Sequence, residues 1–238
     1  MEQIYTIPVN EAFDAARETP ALGCPICALY HRLEENELDL ILGASMMEPD
    51  IRIRTNAEGF CHDHFTKMAG RRNRLSLALM MESHLASIRD LLEDGIMNSP
   101  EKVARNLSTL ESSCYLCSRI EASLSRMIDT TVYLWHTDSA FQKKLEEQPR
   151  FCLPHFRRLV EAGKQKLPKK TFPVYYKTVK SVMGRYLEKL NGDISWFCKK
   201  FDYRYDSEPW YDAKDAIERT TAFLCAQDFQ SKEGRKTK

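Results

Sequence analysis

Apolar side chains along this chain recur at intervals of three and four residues far more than at two. Between Arg74 and Ile96, the side chains of Leu77, Met80, Met81, His84, Leu85, Ile88, Leu91 and Leu92 share one face of a helix. The same period predicts helices over Ala28–Leu42, Ser118–Leu134, Phe151–Gly163 and Val174–Leu190, the last continuing toward Phe201. Ser99-Pro100-Glu101 reads as a helix start, with Ser99 as N-cap and Pro100 in the first turn, where its missing N–H costs nothing. Pro49, Pro149, Pro168, Pro173 and Pro209 fall between the periodic stretches. Only "IRIR", Ile51 to Arg54, alternates as a strand would, and four residues are too few to make one. With 9 glycines and 10 prolines in 238 residues, the chain also lacks the frequent turns of an all-β protein. The expected fold class is all-α, mainly helical.

A second pattern is laid over the helices. "CPIC", with Cys24 and Cys27, is followed by "FCHDHF", with Cys61 and His64; "CYLC", with Cys114 and Cys117, is followed by "FCLPHF", with Cys152 and His155. The copies superimpose at offsets of 90 and 91 residues. Each is C-x2-C, a long separation, then C-x2-H, which predicts two pseudo-repeats, each folded around its own Cys3His site. The expected organisation is residues 1–98 for the first repeat and long helix, 99–206 for the second, and 207–238 for a C-terminal helix and basic tail, in one integrated globular unit.

Composition decides how those cysteines are read. A hydrophobic content of 43% supports a sizeable core, so disorder is excluded. The N-terminus has no apolar run of signal-peptide length, and the most apolar stretch, "LSLALMM", is far too short to span a bilayer. A soluble, cytoplasmic protein is expected, without a membrane partner. In a reducing compartment paired cysteines read as metal ligands rather than disulfides. Zn²⁺ takes sulfur and imidazole nitrogen in a closed tetrahedral site, for which three thiolates and one histidine are a standard set. Two Zn²⁺ per chain are therefore expected, with iron–sulfur ligation as the chemical alternative. In the first copy either His62 or His64 could ligate. The second copy has Leu153 and Pro154 where a rival histidine would stand, so His155, and by register His64, is the expected ligand. Phe60, Phe65, Phe151 and Phe156 flank the ligands and are expected to shield them.

Two cysteines remain. Cys198 and Cys225 lie on apolar helical stretches and read as buried, inert thiols. His31, His84 and His136 read as ordinary core or surface histidines. One connector is unlike its counterpart: "MEPDIRIRTN" gathers Glu48, Asp50, Arg52, Arg54 and Asn56, whereas "TVYLWHTDSAFQKKLEEQP" has nothing similar. An internal ion-pair network is the plain reading of it; an anion or small-molecule site using the two arginines is the sharper one. The 35 basic and 34 acidic residues leave a formal charge of +1, so no global field draws in a polyanion. "GRRNR", "KQKLPKK" and "KEGRKTK" are local basic patches without a recognised nucleic-acid-binding module.

"CPICALYHRLEE", "LGASMMEPDIRIRTNAEGFCHDHF", "LALMMESHL" and "KKFDYRYDSEPWYDAKDAIERTTAFL" together resemble an uncharacterised bacterial family, a cytosolic group of unknown function with the same duplicated Cys/His pairs. The resemblance implies a helical protein in which Cys24, Cys27, Cys61, His64, Cys114, Cys117, Cys152 and His155 bind metal. It brings no activity. "CYLC" departs from it in lacking the proline of "CPIC". The leading expectation is a zinc-stabilised helical scaffold that binds a protein partner, because closed four-ligand sites leave no position for water or substrate. Alternatives are a small anionic ligand or an enzymatic reaction at the 47–56 connector, a zinc/thiol redox sensor, and a nucleic-acid binder.

Overall fold

Proline and short polar breaks cut the helical pattern of the described residues into eleven α-helices. The computed structural model describes residues 3–92 and 99–226, and among them there is no strand. In chain order the helices are α1 (Thr6–Glu18), α2 (Pro25–Leu42), α3 (Pro49–Glu58), α4 (His62–Ala69), α5 (Arg74–Leu92), α6 (Pro100–Glu111), α7 (Tyr115–Thr137), α8 (Ser139–Glu146), α9 (Leu153–Lys166), α10 (Phe172–Lys199) and α11 (Ala216–Cys225). Local chemistry sets many of the starts. Ser99 Oγ accepts from Lys102 N at 3.3 Å as the N-cap of α6, and Asp138 caps α8 through Ala140 N at 2.8 Å. Proline occupies the first turn of α3, α6, α9 and α10. The "IRIR" alternation lies inside α3, where Pro49 opens the helix.

The chain forms two compact units, one of residues 30–124 and one of residues 1–29 with 125–238. These boundaries do not coincide with those expected at 98/99 and 206/207. They fall inside α2 and α7, so each of these helices gives its beginning to one unit and its remainder to the other.

In the unit of residues 30–124, Leu38, Ile41, Met46, Met68, Leu77, Met80, Leu116 and Ile120 make one buried cluster. Helix α5 packs on α3 and α4, and its buried residues, Ser76, Leu77 and Met80, lie in its first half. Its second half does not follow the face expected from the sequence, since Leu85 is 65% exposed and Leu92 56%. The reason is its neighbour: α6 is amphipathic and short, and none of its residues is fully buried. The predicted continuation of α5 to Ile96 falls on residues outside those described.

The other unit is built around α10. Helices α8, α9 and α11 pack on it, and α1 packs on α8. Phe13 of α1 meets Phe141 of α8 at 5.1 Å and Phe151 at 6.2 Å. Trp135 meets the fully buried Tyr175 of α10 edge-on at 5.0 Å. Helix α11 is tied to α10 by Arg219, whose Nη1 lies 2.7 Å from Asp193 Oδ2.

Candidate metal centres

All eight candidate donors sit at helix beginnings. Cys61 and Cys152 are the N-cap residues of α4 and α9, with nearly identical extended backbones (φ −71°, ψ 162° and φ −75°, ψ 159°). His64 and His155 follow three residues later in the first turn. Cys24 and Cys114 immediately precede α2 and α7, and Cys27 and Cys117 lie in those first turns. Unpaired N–H groups and the positive end of the helix dipole gather there.

The donors converge in two groups, and the grouping crosses the repeats. Cys24, Cys27, Cys152 and His155 form one; Cys61, His64, Cys114 and Cys117 form the other. The expectation that each repeat completes its own set is therefore corrected: each C-x2-C pairs with the C-x2-H of the other copy.

The spacing of donor atoms fits one ion per group. Tetrahedral ligation by zinc places sulfurs about 3.8 Å apart and sulfur and nitrogen about 3.5 Å apart, given bond lengths of about 2.3 and 2.05 Å. In the first group Cys27 and Cys152 Sγ are 3.7 Å apart, and His155 Nδ1 lies 3.8, 3.4 and 3.1 Å from the sulfurs of Cys24, Cys27 and Cys152. In the second, Cys61 and Cys117 Sγ are 3.9 Å apart, and His64 Nδ1 lies 3.3, 3.3 and 3.4 Å from Cys61, Cys114 and Cys117. A single imidazole nitrogen cannot hydrogen-bond three thiols at once, but all four atoms can share a cation. An iron–sulfur cube engages its ligands through separate irons and needs them further apart than the 4.8 Å that bounds each group.

The missing proline of "CYLC" has a use. Tyr115 occupies the position of Pro25, and its N–H donates to Gly59 O at 3.0 Å, a bond proline could not make. Ser113 Oγ adds a bond to Glu58 O at 2.7 Å, so the two ligand loops of this group are stitched together. Gly59 itself has φ +59°, a conformation that suits glycine. At the first group, Gly23 lets Arg150 approach so closely that a Cβ there would overlap its guanidinium. Arg150, Ala222 and Phe223 line the small space beside Cys24, Cys27 and Cys152.

The second group has a buried carboxylate behind its histidine. His64 Nε2 stands 3.3 Å from Glu34 Oε1, an ion-pair distance rather than an aligned hydrogen bond, and Glu34 Oε2 accepts from Lys67 Nζ at 2.5 Å. His64, with Lys67 beside it, holds the 5%-exposed Glu34 at about 2, well below the usual carboxylate range, against the opposing effect of burial. Burial likewise works against a charged His64, yet Cys114 and Glu34 push it up to about 10. This is the carboxylate–histidine arrangement that fixes a ligand ring and raises its basicity. Tyr30 is pushed up to about 12 by burial first, then by Glu34 and the three thiols. Sequence reasoning missed Glu34: one glutamate among Glu34, Glu35 and Glu37 on a helix carries no visible signal. Its counterpart in the second copy is Leu124, so the carboxylate is not duplicated. Glu34→Gln is expected to weaken metal binding at the second group by about 10–100-fold and leave the first unchanged, as read by chelator competition.

The remaining candidates fall elsewhere. The His62 side chain is 92% exposed, whereas His64 is buried among the thiols. Arg52 Nη2 donates to Leu79 O at 2.6 Å and Asn56 Oδ1 accepts from Ser83 Oγ at 2.8 Å, both tying α3 to α5. Arg54 pairs with Glu58 at 3.0 Å and lies 5.0 Å above the Tyr115 ring; Glu48 and Asp50 are exposed. The five residues are thus not gathered around one point. Cys198 and Cys225, expected to be buried, are both exposed. Their helices turn other residues inward, such as Leu190 on α10 and Phe223 on α11. His84 Nδ1 donates to Asn56 O at 3.0 Å. Phe151 is fully buried, and Phe60 packs edge-on against Phe65 at 5.4 Å.

No described helix is long and apolar enough to cross a membrane. Compared with known proteins, residues 1–231 match the model of a family of unknown function, DUF6062. No curated protein and no solved structure matches the chain.

Proposed function

The chain belongs to DUF6062, a family of unknown function, so membership brings no activity with it, and we propose from the two donor groups that it is a zinc-braced helical scaffold protein binding two Zn²⁺. The observation that carries this reading is the preset spacing of four soft donors drawn from distant segments. His155 reaches back 131 residues to Cys24, and Cys117 reaches back 56 to Cys61. Bound there, Zn²⁺ supplies a cross-link between those segments. Cys24, Cys27 and Cys152, as thiolates, with His155 would fill all four positions of one ion; Cys61, Cys114 and Cys117 with His64 would fill those of the other. No position is left for water or substrate, which favours a structural over a catalytic use.

Elemental analysis of protein purified without added metal tests the reading. Two zinc equivalents per chain are expected, with both retained in His62→Ala and one in His64→Ala. A stoichiometry near zero, or iron with a visible cluster absorption, ends it.

A further inference from the structure

We propose that the two centres divide their labour: the group of Cys61, His64, Cys114 and Cys117 yields its metal to a hydroperoxide by forming a Cys61–Cys117 disulfide, while the group of Cys24, Cys27, Cys152 and His155 keeps its own. This rests on the two-site metal reading and adds a modification site to it.

Access separates the groups. In the first, Cys24, Cys27 and Cys152 are each 3% exposed and His155 is 6%, and Arg150, Ala222 and Phe223 line the small space beside Cys24, Cys27 and Cys152. In the second, Cys117 is exposed and Cys61 partly so, while Cys114 and His64 are buried. These two more exposed residues are also neighbours, with their sulfurs 3.9 Å apart. Each lies at a helix beginning, Cys61 as N-cap of α4 and Cys117 in the first turn of α7. Bound Zn²⁺ would hold both sulfurs deprotonated, and thiolate character with exposure is what selects a cysteine for oxidation.

The chemistry balances with a hydroperoxide as the oxidant. The Cys117 thiolate attacks the terminal peroxide oxygen, the O–O bond breaks, and with one proton the leaving group departs as ROH, leaving a sulfenic acid. The Cys61 thiolate then attacks that sulfur, the S–O bond breaks, and the oxygen leaves as water with a second proton. Two thiolates have lost two electrons and the peroxide has gained them. Only Cys114 and His64 remain as ligands, and two donors do not hold a site that needs four.

The test uses the full zinc-loaded chain. Metal is counted before oxidant is added, and a count other than two removes the metal reading and this proposal with it. With two present, hydrogen peroxide is titrated while a chromophoric chelator reports released zinc and peptide mass spectrometry locates disulfides. The expected result is loss of one of the two equivalents, a Cys61–Cys117 cross-link, reduced Cys24, Cys27 and Cys152, and recovery of the lost equivalent after dithiothreitol and fresh zinc. The double variant Cys198→Ser/Cys225→Ser, which removes the other exposed thiols, should behave identically. Retention of both metals, simultaneous loss of both, a cross-link at any other pair, or dependence on Cys198 or Cys225 overturns the proposal and leaves the two-metal count standing.

Discussion

A chain carrying Cys24→Ser with Cys152→Ser should lose one metal equivalent, and a chain carrying Cys24→Ser with Cys61→Ser should lose both. The reasoning is the crossed grouping: the first pair of substitutions falls in one donor set, the second pair in two. Sets completed within each repeat demand the opposite result, so the two variants separate the arrangements without a new structure. The stability effects should be large. Structural zinc contributes about 10–16 kcal/mol in small sites, against a net stability of about 5–15 kcal/mol for a whole domain. Limited proteolysis should accordingly cut Cys24→Ser/Cys152→Ser mainly within residues 1–29 and 125–238, and Cys24→Ser/Cys61→Ser throughout. Equal metal loss in the two double variants would count against the crossed grouping.

Gly163→Ala should destabilise the protein by about 2–3 kcal/mol, the upper part of the range for overpacking. Gly163 lies in α9 against α10, and a Cβ there would stand 2.4 and 2.6 Å from ring carbons of Tyr175. That ring cannot swing away. Tyr175 is fully buried, packs on Trp135, and its hydroxyl donates to Leu159 O at 3.2 Å. Gly184 and Gly192 in α10 provide the contrast, since a Cβ at either meets nothing within 4 Å. Gly184→Ala and Gly192→Ala should each stabilise by about 0.5–1 kcal/mol through helix propensity and a less free unfolded chain. At about 2–4 °C per kcal/mol for a chain of this size, thermal melts should move in opposite directions. A Gly163→Ala protein melting as high as Gly184→Ala would contradict the α9–α10 contact.

The long helices were legible because an apolar face sustained over fifteen or more residues leaves little else to form. The donors were legible because C-x2-C and C-x2-H each bring two ligands to one helix turn, and the second copy's Leu153 and Pro154 resolve the choice between His62 and His64. Their partnership was not legible. Spacing along a chain says how far apart two pairs are in residues, not which pairs the fold brings together. Short helices such as α1 and α8 carry too few turns for their period to stand out. Cys198 and Cys225 misled because an apolar neighbourhood in sequence does not say which side of a helix a residue occupies. Glu34 was invisible for a related reason: its meaning lies wholly in the distance to His64.

The crossed grouping sets an order problem for a growing chain. Synthesis delivers Cys24, Cys27, Cys61 and His64 first, so a full complement of three sulfurs and an imidazole exists once residue 64 has emerged. The earliest native set is complete only at Cys117, 53 residues later, and the other waits for His155. At about 5–20 residues per second, metal taken up in that interval meets a mismatched cage before it can meet a correct one.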